Sequence, residues 1–406
     1  MTNQKYIALV DCDSFFVSCE RKLNPELNGL PVSVVSGERG CVVSRSKEAK
    51  LLGVPMGIPL FQAVEKYPEC IYISSNHNSY GKISRMVMNI LKNFSPNVQI
   101  YSIDEAFVDF TGLTKLHKKN YFRLAEELQN RIFEEVGIPV TIGVSATKTL
   151  AKLASDKAKN TNSRIALVGK ASIIPLLKNT EIQEVWGVGR KIGVKLRGYG
   201  IKTAFDYINR DDNWIQKRFG KNGLSIKSEL LGNMISPISN EIELPKSISD
   251  TKSFLEFSSD MTFLKNELSI HIHTTCARLR RINCKCSTIG LLLRTKDFKT
   301  YYEKLQLKTP LDFEFDISKA AFSLLEKMYS RDILYRSIGI VLEDFKPNSE
   351  EQLSIFEINP RREQNERLGK SLDKLEEKFG KNIVRTGFVN KNIPDKINSF
   401  NNTSPS

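Results

Sequence analysis

Leu9-Val10-Asp11-Cys12-Asp13-Ser14-Phe15-Phe16 and Tyr101-Ser102-Ile103-Asp104-Glu105-Ala106-Phe107 decide the reading of this chain. In each, carboxylates sit within or at the end of an apolar run of the kind that forms a buried strand. A carboxylate taken out of water is costly unless it is paired or bound to metal. Neither stretch places a Lys or Arg beside its acids, so a divalent cation is the expected partner. Carboxylate oxygens are hard ligands that suit Mg²⁺ or Mn²⁺. Asp13 is the weaker ligand candidate of this stretch. Adjacent residues of a strand point to opposite faces, so Phe15 reads as core and Phe16 as the residue free for another role.

The rest of the chain bounds the partners. A formal charge of +14 over 406 residues favours a polyanion, with a merely soluble basic protein as the plainer alternative. Met1-Thr2-Asn3-Gln4-Lys5 leads into a short core strand rather than a signal peptide, and no apolar run is long enough to span a bilayer. Seven scattered cysteines fit reduced thiols, so a cytoplasmic location is expected. Cys284-x-Cys286, with Cys276 and His271-x-His273 upstream, invites a zinc reading, but the spacing fits no standard finger.

Residues 6–11 and 140–145 read as strands, and Thr147 is placed to cap the helix that follows. Residues 121–136 read as an amphipathic helix with Phe122, Ala125, Leu128, Ile132, Phe133 and Val136 on one side. Strands interleaved with helices predict an antiparallel sheet covered on one face. Residues 15–79 form an insertion rich in Gly and Pro. Residues 169–235 are helical in pattern and hold Trp186-Gly187-Val188-Gly189-Arg190-Lys191. Glycines there let backbone N–H groups approach a phosphate at a helix N-terminus, and ten basic residues from Arg190 to Lys227 surround them. Residues 236–249 lack periodicity and read as a linker. Residues 250–348 form a second α+β unit, whose strand from Ile289 to Lys296 puts Arg294 and Lys296 on one face. In the tail, Leu368, Leu372, Leu375 and Phe379 recur at helical spacing, on a helix expected to dock on the body or on a partner.

With these residues in view, the chain resembles a Y-family translesion DNA polymerase. The two acidic stretches lie about ninety residues apart, like that family's metal-binding strands. Arg45-Ser46-Lys47-Glu48-Ala49-Lys50 with Leu52-Gly53-Val54 resembles its fingers motif. Gly143-Val144-Ser145, the run Lys148 to Asp156, and Lys159 resemble its last palm strand and helix. Gly40 to Ser46 and Phe379-Gly380-Lys381 resemble the UmuC branch. The resemblance implies a multidomain α+β right hand. Its parts are a ferredoxin-like palm (1–14 and 80–168), small fingers (15–79), a helix-hairpin-helix thumb (169–235) and a little finger (250–348). Residues 349–406 are then a tail.

The resemblance also implies roles. Asp11, Asp104 and Glu105, with the Cys12 carbonyl, hold two Mg²⁺ ions, for which Mn²⁺ can substitute. Ser44, Lys47, Lys50 and Lys159 meet the triphosphate of a deoxynucleotide; Lys47 departs from the Tyr often found there. Phe16 is the steric gate against ribose. Gly187, Gly189, Arg190, Lys191, Arg294 and Lys296 contact primer-template DNA. Gln352, Leu353, Ile355 and Phe356, within Gln352-Leu353-Ser354-Ile355-Phe356, resemble a sliding-clamp peptide. A UmuD-like dimer and a RecA filament are the further partners implied. Two rivals are a catalytically silent DNA- and clamp-binding scaffold, and a nucleotide cyclase built on the same palm. The full acidic set with its gate and lysines opposes the first; the basic domains and clamp motif oppose the second.

Overall fold

The computed structural model describes residues 5–240, 244–348 and 362–379. The chain forms two compact units, Met1–Glu241 and Ile242–Ser406.

In the first unit, β1 (Ile7–Cys12) leads into α1 (Phe15–Leu23). Next come β2 (Val32–Val35), β3 (Val42–Arg45), α2 (Lys47–Leu51), α3 (Leu60–Lys66) and β4 (Ile71–Ser74). These strands make a small sheet in the order β3-β2-β4 over a core of Val35, Val42, Ala49, Val54, Ala63 and Cys70. The chain returns through α4 (His77–Phe94), β5 (Val98–Ile100), β6 (Glu105–Asp109), α5 (Leu113–His117) and α6 (Tyr121–Val136). It then runs through β7 (Val140–Ser145), α7 (Lys148–Ala158) and β8 (Ile165–Leu167). A five-stranded sheet results, in the order β5-β6-β1-β7-β8, antiparallel except where β7 meets β8.

Both faces of this sheet are covered, not one. Ala8, Val10 and Cys12 pack in the core with Leu128 and Ile132 of α6 and Leu91 of α4. Ile7 and Leu9 pack on the opposite side with Phe107 and Ala151 of α7. Gly143 allows that second layer, because a Cβ there would come within 2.1 Å of the Ser155 backbone nitrogen. Burial on both sides also explains why β1 is apolar at consecutive positions rather than alternately. In α6 the buried stripe is Leu124, Ala125, Leu128, Ile132 and Val136, while Phe133 is 57% exposed. Phe133 stands about 100° around the helix from Ile132, which turns it away from the sheet. Thr147 caps α7 by accepting from the Leu150 N–H, as expected.

Helices α8 (Ile173–Lys178), α9 (Arg190–Gly198), α10 (Ala204–Ile208) and α11 (Asp212–Leu230) follow, around Ile173, Leu177, Ile182, Leu196, Ile201 and Ile215. The start of the expected linker is fastened down: the Asn240 side chain accepts from the Val98 N–H (2.9 Å) and donates to the Pro96 carbonyl (2.9 Å).

The second unit contains β9 (Ser247–Ser258), α12 (Met261–Arg281), β10 (Cys284–Thr295), β11 (Thr300–Leu311), α13 (Glu314–Met328), β12 (Tyr335–Pro347) and α14 (Arg362–Phe379). Strand β9 therefore begins inside the span read as linker. The antiparallel sheet runs β11-β10-β12-β9, with Leu268, Ile272, Leu325, Leu291 and Ile340 in its core. Its other face carries cross-strand rows such as Thr251, Gly339, Leu292 and Tyr302. Glycines keep part of this face flat, since a Cβ at Gly339 would lie 2.0 Å from Thr251 Oγ1.

Helix α14 docks on α12 through a two-pronged Arg280–Asp373 ion pair (2.7 and 2.9 Å) and a buried Leu372. Leu368, Leu375 and Phe379 are exposed. The histidines of the zinc reading have other partners. His271 Nδ1 lies 2.7 Å from Asp250, and His273 Nδ1 lies 2.9 Å from Glu314. Among the described residues no helix is long and apolar enough to cross a membrane.

Candidate active site

Strand pairing brings the two acidic stretches together. Asp11 and Glu105 are direct partners across β1 and β6, at the ends of their apolar runs. Asp104 precedes β6, and its backbone carbonyl accepts from the Cys12 N–H at 2.9 Å. Asp11 is only 8% exposed. Burial pushes its pKa up to about 6, Lys159 opposes that rise, and Glu105 and Asp104 add to it.

The expectation that these acids lack a basic neighbour fails in three dimensions. Lys159 Nζ donates to Asp11 Oδ2 at 2.8 Å and to Asp156 at 3.2 Å. Burial works against the Lys159 ammonium, yet Asp11 and Asp156 outweigh it and raise its pKa. Lys152 Nζ grips both Glu105 oxygens, at 2.7 and 2.9 Å. The Ser102 hydroxyl donates to Asp104. Lys152 lies on α7 and Lys159 is its C-cap, both remote in sequence from Glu105 and Asp11. As arranged here, no three His, Cys, Asp or Glu among the described residues gather at metal-ligand spacing. The donors still fit a hard divalent cation in kind: two carboxylates paired across adjacent strands, a third beside them, and a buried Asp11 whose charge is poorly solvated. Asp13 is otherwise engaged, by Thr141 Oγ1 at 2.7 Å and Arg164 at 3.4 Å.

Beside the acids lies a cationic group. The pKa of Lys50 is lowered first by burial and then by Arg45, Lys159 and Arg164. Lys50 Nζ reaches Ser14 Oγ at 3.5 Å. Arg45 Nη1 donates to the Val54 carbonyl, while its buried Nε has no hydrogen-bond acceptor. Ser44 is buried on β3, and Lys47 is exposed at the start of α2. Phe15 is core, at 3% exposure. Phe16 is half-buried and stacks on Tyr80, with centroids 4.8 Å apart, and on the edge of His77 at 5.5 Å. Its ring is therefore held by neighbours on two sides. Arg45, Arg164 and Lys152 are neighbours of the acids and of Lys50 that the sequence motifs do not single out. Arg45 stands inside the quoted fingers motif, and Lys152 precedes Lys159 by two helical turns; Arg164 carries no local signal.

The remaining candidates are dispersed. Gly187 has φ +90°, a left-handed value that favours glycine. Gly189 is the N-cap of α9, and Arg190 and Lys191 are exposed on its first turn. Arg294 is exposed on β10 and donates to Thr300 Oγ1 at 3.1 Å. Lys296 does not share its row, because the β10–β12 register shifts between Arg294 and Thr295 and the strand ends there. Its ammonium sits 5.9 Å from the Phe257 ring centre instead. Gln352, Leu353, Ile355 and Phe356 lie outside the described residues.

A Y-family DNA polymerase chimera of Dbh and Dpo4 superposes with a TM-score of 0.72 at 25% identity, covering 84% of this chain and 100% of that one. Fold and acid pair thus define the class, a Y-family translesion DNA polymerase, a DNA-directed enzyme of divalent-metal-dependent type that acts on DNA and deoxynucleoside triphosphates. Residues 10–156 match the impB/mucB/samB family, and residues 245–355 match the impB/mucB/samB family C-terminal domain. Protein UmuC of Salmonella typhimurium is 33% identical over 390 residues, covering 93% of this chain and 92% of that one. DNA polymerase IV 1 of Bacillus subtilis is 30% identical over 400 residues, covering 97% and 95%. The chain belongs to the impB/mucB/samB family.

Proposed function

We propose that Asp11, Asp104 and Glu105 form the nucleotidyl-transfer centre of this polymerase. The observation that carries the reading is the register of Asp11 against Glu105, with the Lys50, Lys159, Arg45 and Arg164 cations alongside. Two Mg²⁺ ions, or Mn²⁺ in their place, would be held by these carboxylates and the Cys12 carbonyl, and would supply activation of the primer 3′-OH and neutralisation of phosphate charge. The chain's own cations do the rest of the electrostatic work. Lys50, Lys159 and Arg45 hold the triphosphate, with the Ser44 hydroxyl and Lys47 at its margin. Mutual repulsion among these cations is relieved when a polyanion enters. The fixed Phe16 ring lies beneath the sugar and leaves no room for a 2′-OH.

DNA is gripped by its backbone. The turn Gly187-Val188-Gly189 and the exposed Arg190 and Lys191 present N–H groups and charge at the start of α9. The outer face of the second sheet, with Arg294 at one end and Lys296 just beyond it, is kept partly flat by Gly339 and is open to a duplex. Palm, fingers, thumb and little finger then correspond to the ranges given above, with β9 assigned to the little finger. Gln352, Leu353, Ile355 and Phe356 serve a sliding clamp. A UmuD-like dimer and a RecA filament act with the enzyme in SOS-type damage tolerance, in the cytoplasm.

Primer extension on damaged and undamaged template tests the centre. Asp104→Ala and Glu105→Ala are expected to abolish extension while leaving DNA affinity nearly intact. Parallel loss of DNA binding would count against this division of labour.

A further inference from the structure

Helix α7 carries Lys152 and ends two turns later at its C-cap Lys159, and they meet Glu105 and Asp11 respectively. Their surroundings differ. Lys159 faces the cations around Lys50, where an incoming triphosphate gives it reason to leave Asp11. Lys152 lies away from that group. Its Nζ is 5.9 Å from the centre of the Tyr101 ring. The Tyr101 hydroxyl accepts from Trp186 Nε1 at 3.1 Å, and the two rings meet edge to face at 5.4 Å and 88°. Trp186 immediately precedes Gly187, the left-handed residue of the turn into α9. A chain of contacts thus runs from that turn through Trp186, Tyr101 and Lys152 to both oxygens of Glu105.

We propose that Lys152 is a positioning residue: a counter-ion that occupies Glu105 and is itself oriented from the α9 turn through Tyr101 and Trp186. The proposal rests on the reading of Glu105 as a metal-holding carboxylate and of the turn as a DNA contact. An ammonium on both carboxylate oxygens competes with a divalent cation for them. DNA at the turn shifts Trp186, hence Tyr101 and the seat of Lys152, and frees Glu105. Metal and DNA then bind with positive coupling, and the coupling is reciprocal.

Mn²⁺ binding followed by electron paramagnetic resonance, without nucleotide and with or without primer-template, tests this. Lys152→Met is expected to bind Mn²⁺ about threefold more tightly without DNA, the size of a partly exposed ion pair, and to lose most of the gain DNA confers on the parent. Lys152→Arg keeps the charge and restores parental behaviour. Trp186→Phe and Tyr101→Phe each keep an aromatic ring but lose the Nε1–OH bond; both are expected to reduce the DNA-dependent gain and leave DNA-free affinity unchanged. Unchanged DNA-free Mn²⁺ affinity in Lys152→Met overturns the proposal. If that variant does not fold, an undiminished DNA-dependent gain in Trp186→Phe overturns it instead. Glu105→Gln separates the two levels. If it leaves Mn²⁺ affinity unaltered, the reading of the site fails. If it weakens binding while Lys152→Met changes nothing, only the role of Lys152 fails.

Discussion

Replacing Glu229 should unfasten helix α7, which carries Lys152 and ends at its C-cap Lys159. Glu229 is 5% exposed at the end of α11. Its Oε1 accepts from the Ile235 and Ser236 N–H groups at 2.9 and 3.2 Å, and its Oε2 from the Thr149 N–H at 3.2 Å. Thr149 lies in the first turn of α7, so the carboxylate also meets the positive end of that helix. Its charge supports the Lys148 ammonium, whose pKa burial lowers. Lys148 is 2% exposed and in turn holds Ser236 Oγ at 3.2 Å and the Pro237 carbonyl at 2.8 Å. Glu229→Ala removes three charge-assisted bonds, strands three N–H groups and leaves Lys148 without that support. At a little over 1 kcal/mol per bond, the loss is about 4 kcal/mol. For a unit of this size, that lowers Tm by about 8–16 °C. Glu229→Gln retains one oxygen acceptor and should lose about half as much. Scanning calorimetry of the full chain reads both values, and nucleotide addition should fall with Glu229→Ala because α7 carries Lys152 and sets the position of its C-cap Lys159. A loss below about 1 kcal/mol for the alanine variant would mean that water replaces the carboxylate and that the joint is not held as argued.

Phe16→Ala should raise ribonucleotide relative to deoxynucleotide insertion by orders of magnitude, measured by single-nucleotide incorporation; unchanged sugar discrimination would move the gate elsewhere. DNA affinity should fall steeply between low and moderate salt and vary little with duplex sequence, since Lys and Arg displace counterions from phosphates; a flat salt titration would contradict backbone binding. Alanine at both Leu353 and Phe356 should weaken sliding-clamp binding by calorimetry and spare single-nucleotide insertion on short templates, because short peptides concentrate their energy in a few anchors. Collapse of insertion would instead place that segment against the catalytic body.

Local patterns in the chain were sufficient for much of this. Apolar runs located β1 and β6 and put acids at their ends, because a strand's burial is written in consecutive residues. Phe15 is in the core and Phe16 stacks beside Tyr80, as expected, but they separate as neighbours about 100° apart on helix α1 rather than by strand alternation. Thr147 announced the start of α7, because capping is a contact between residues three apart. The tertiary structure decided what depends on sheet order. It set α7 over the second face of the sheet, where Gly143 of β7 lets it approach, and turned Phe133 outward. A register shift took Lys296 out of the β10 ladder, which no periodicity within the strand reveals. Above all, it delivered Lys152 to Glu105 across 47 residues and Lys159 to Asp11 across 148. A charge beside a carboxylate is a matter of a few ångströms in space, and the chain's own order carries no term for that distance until the strands have paired.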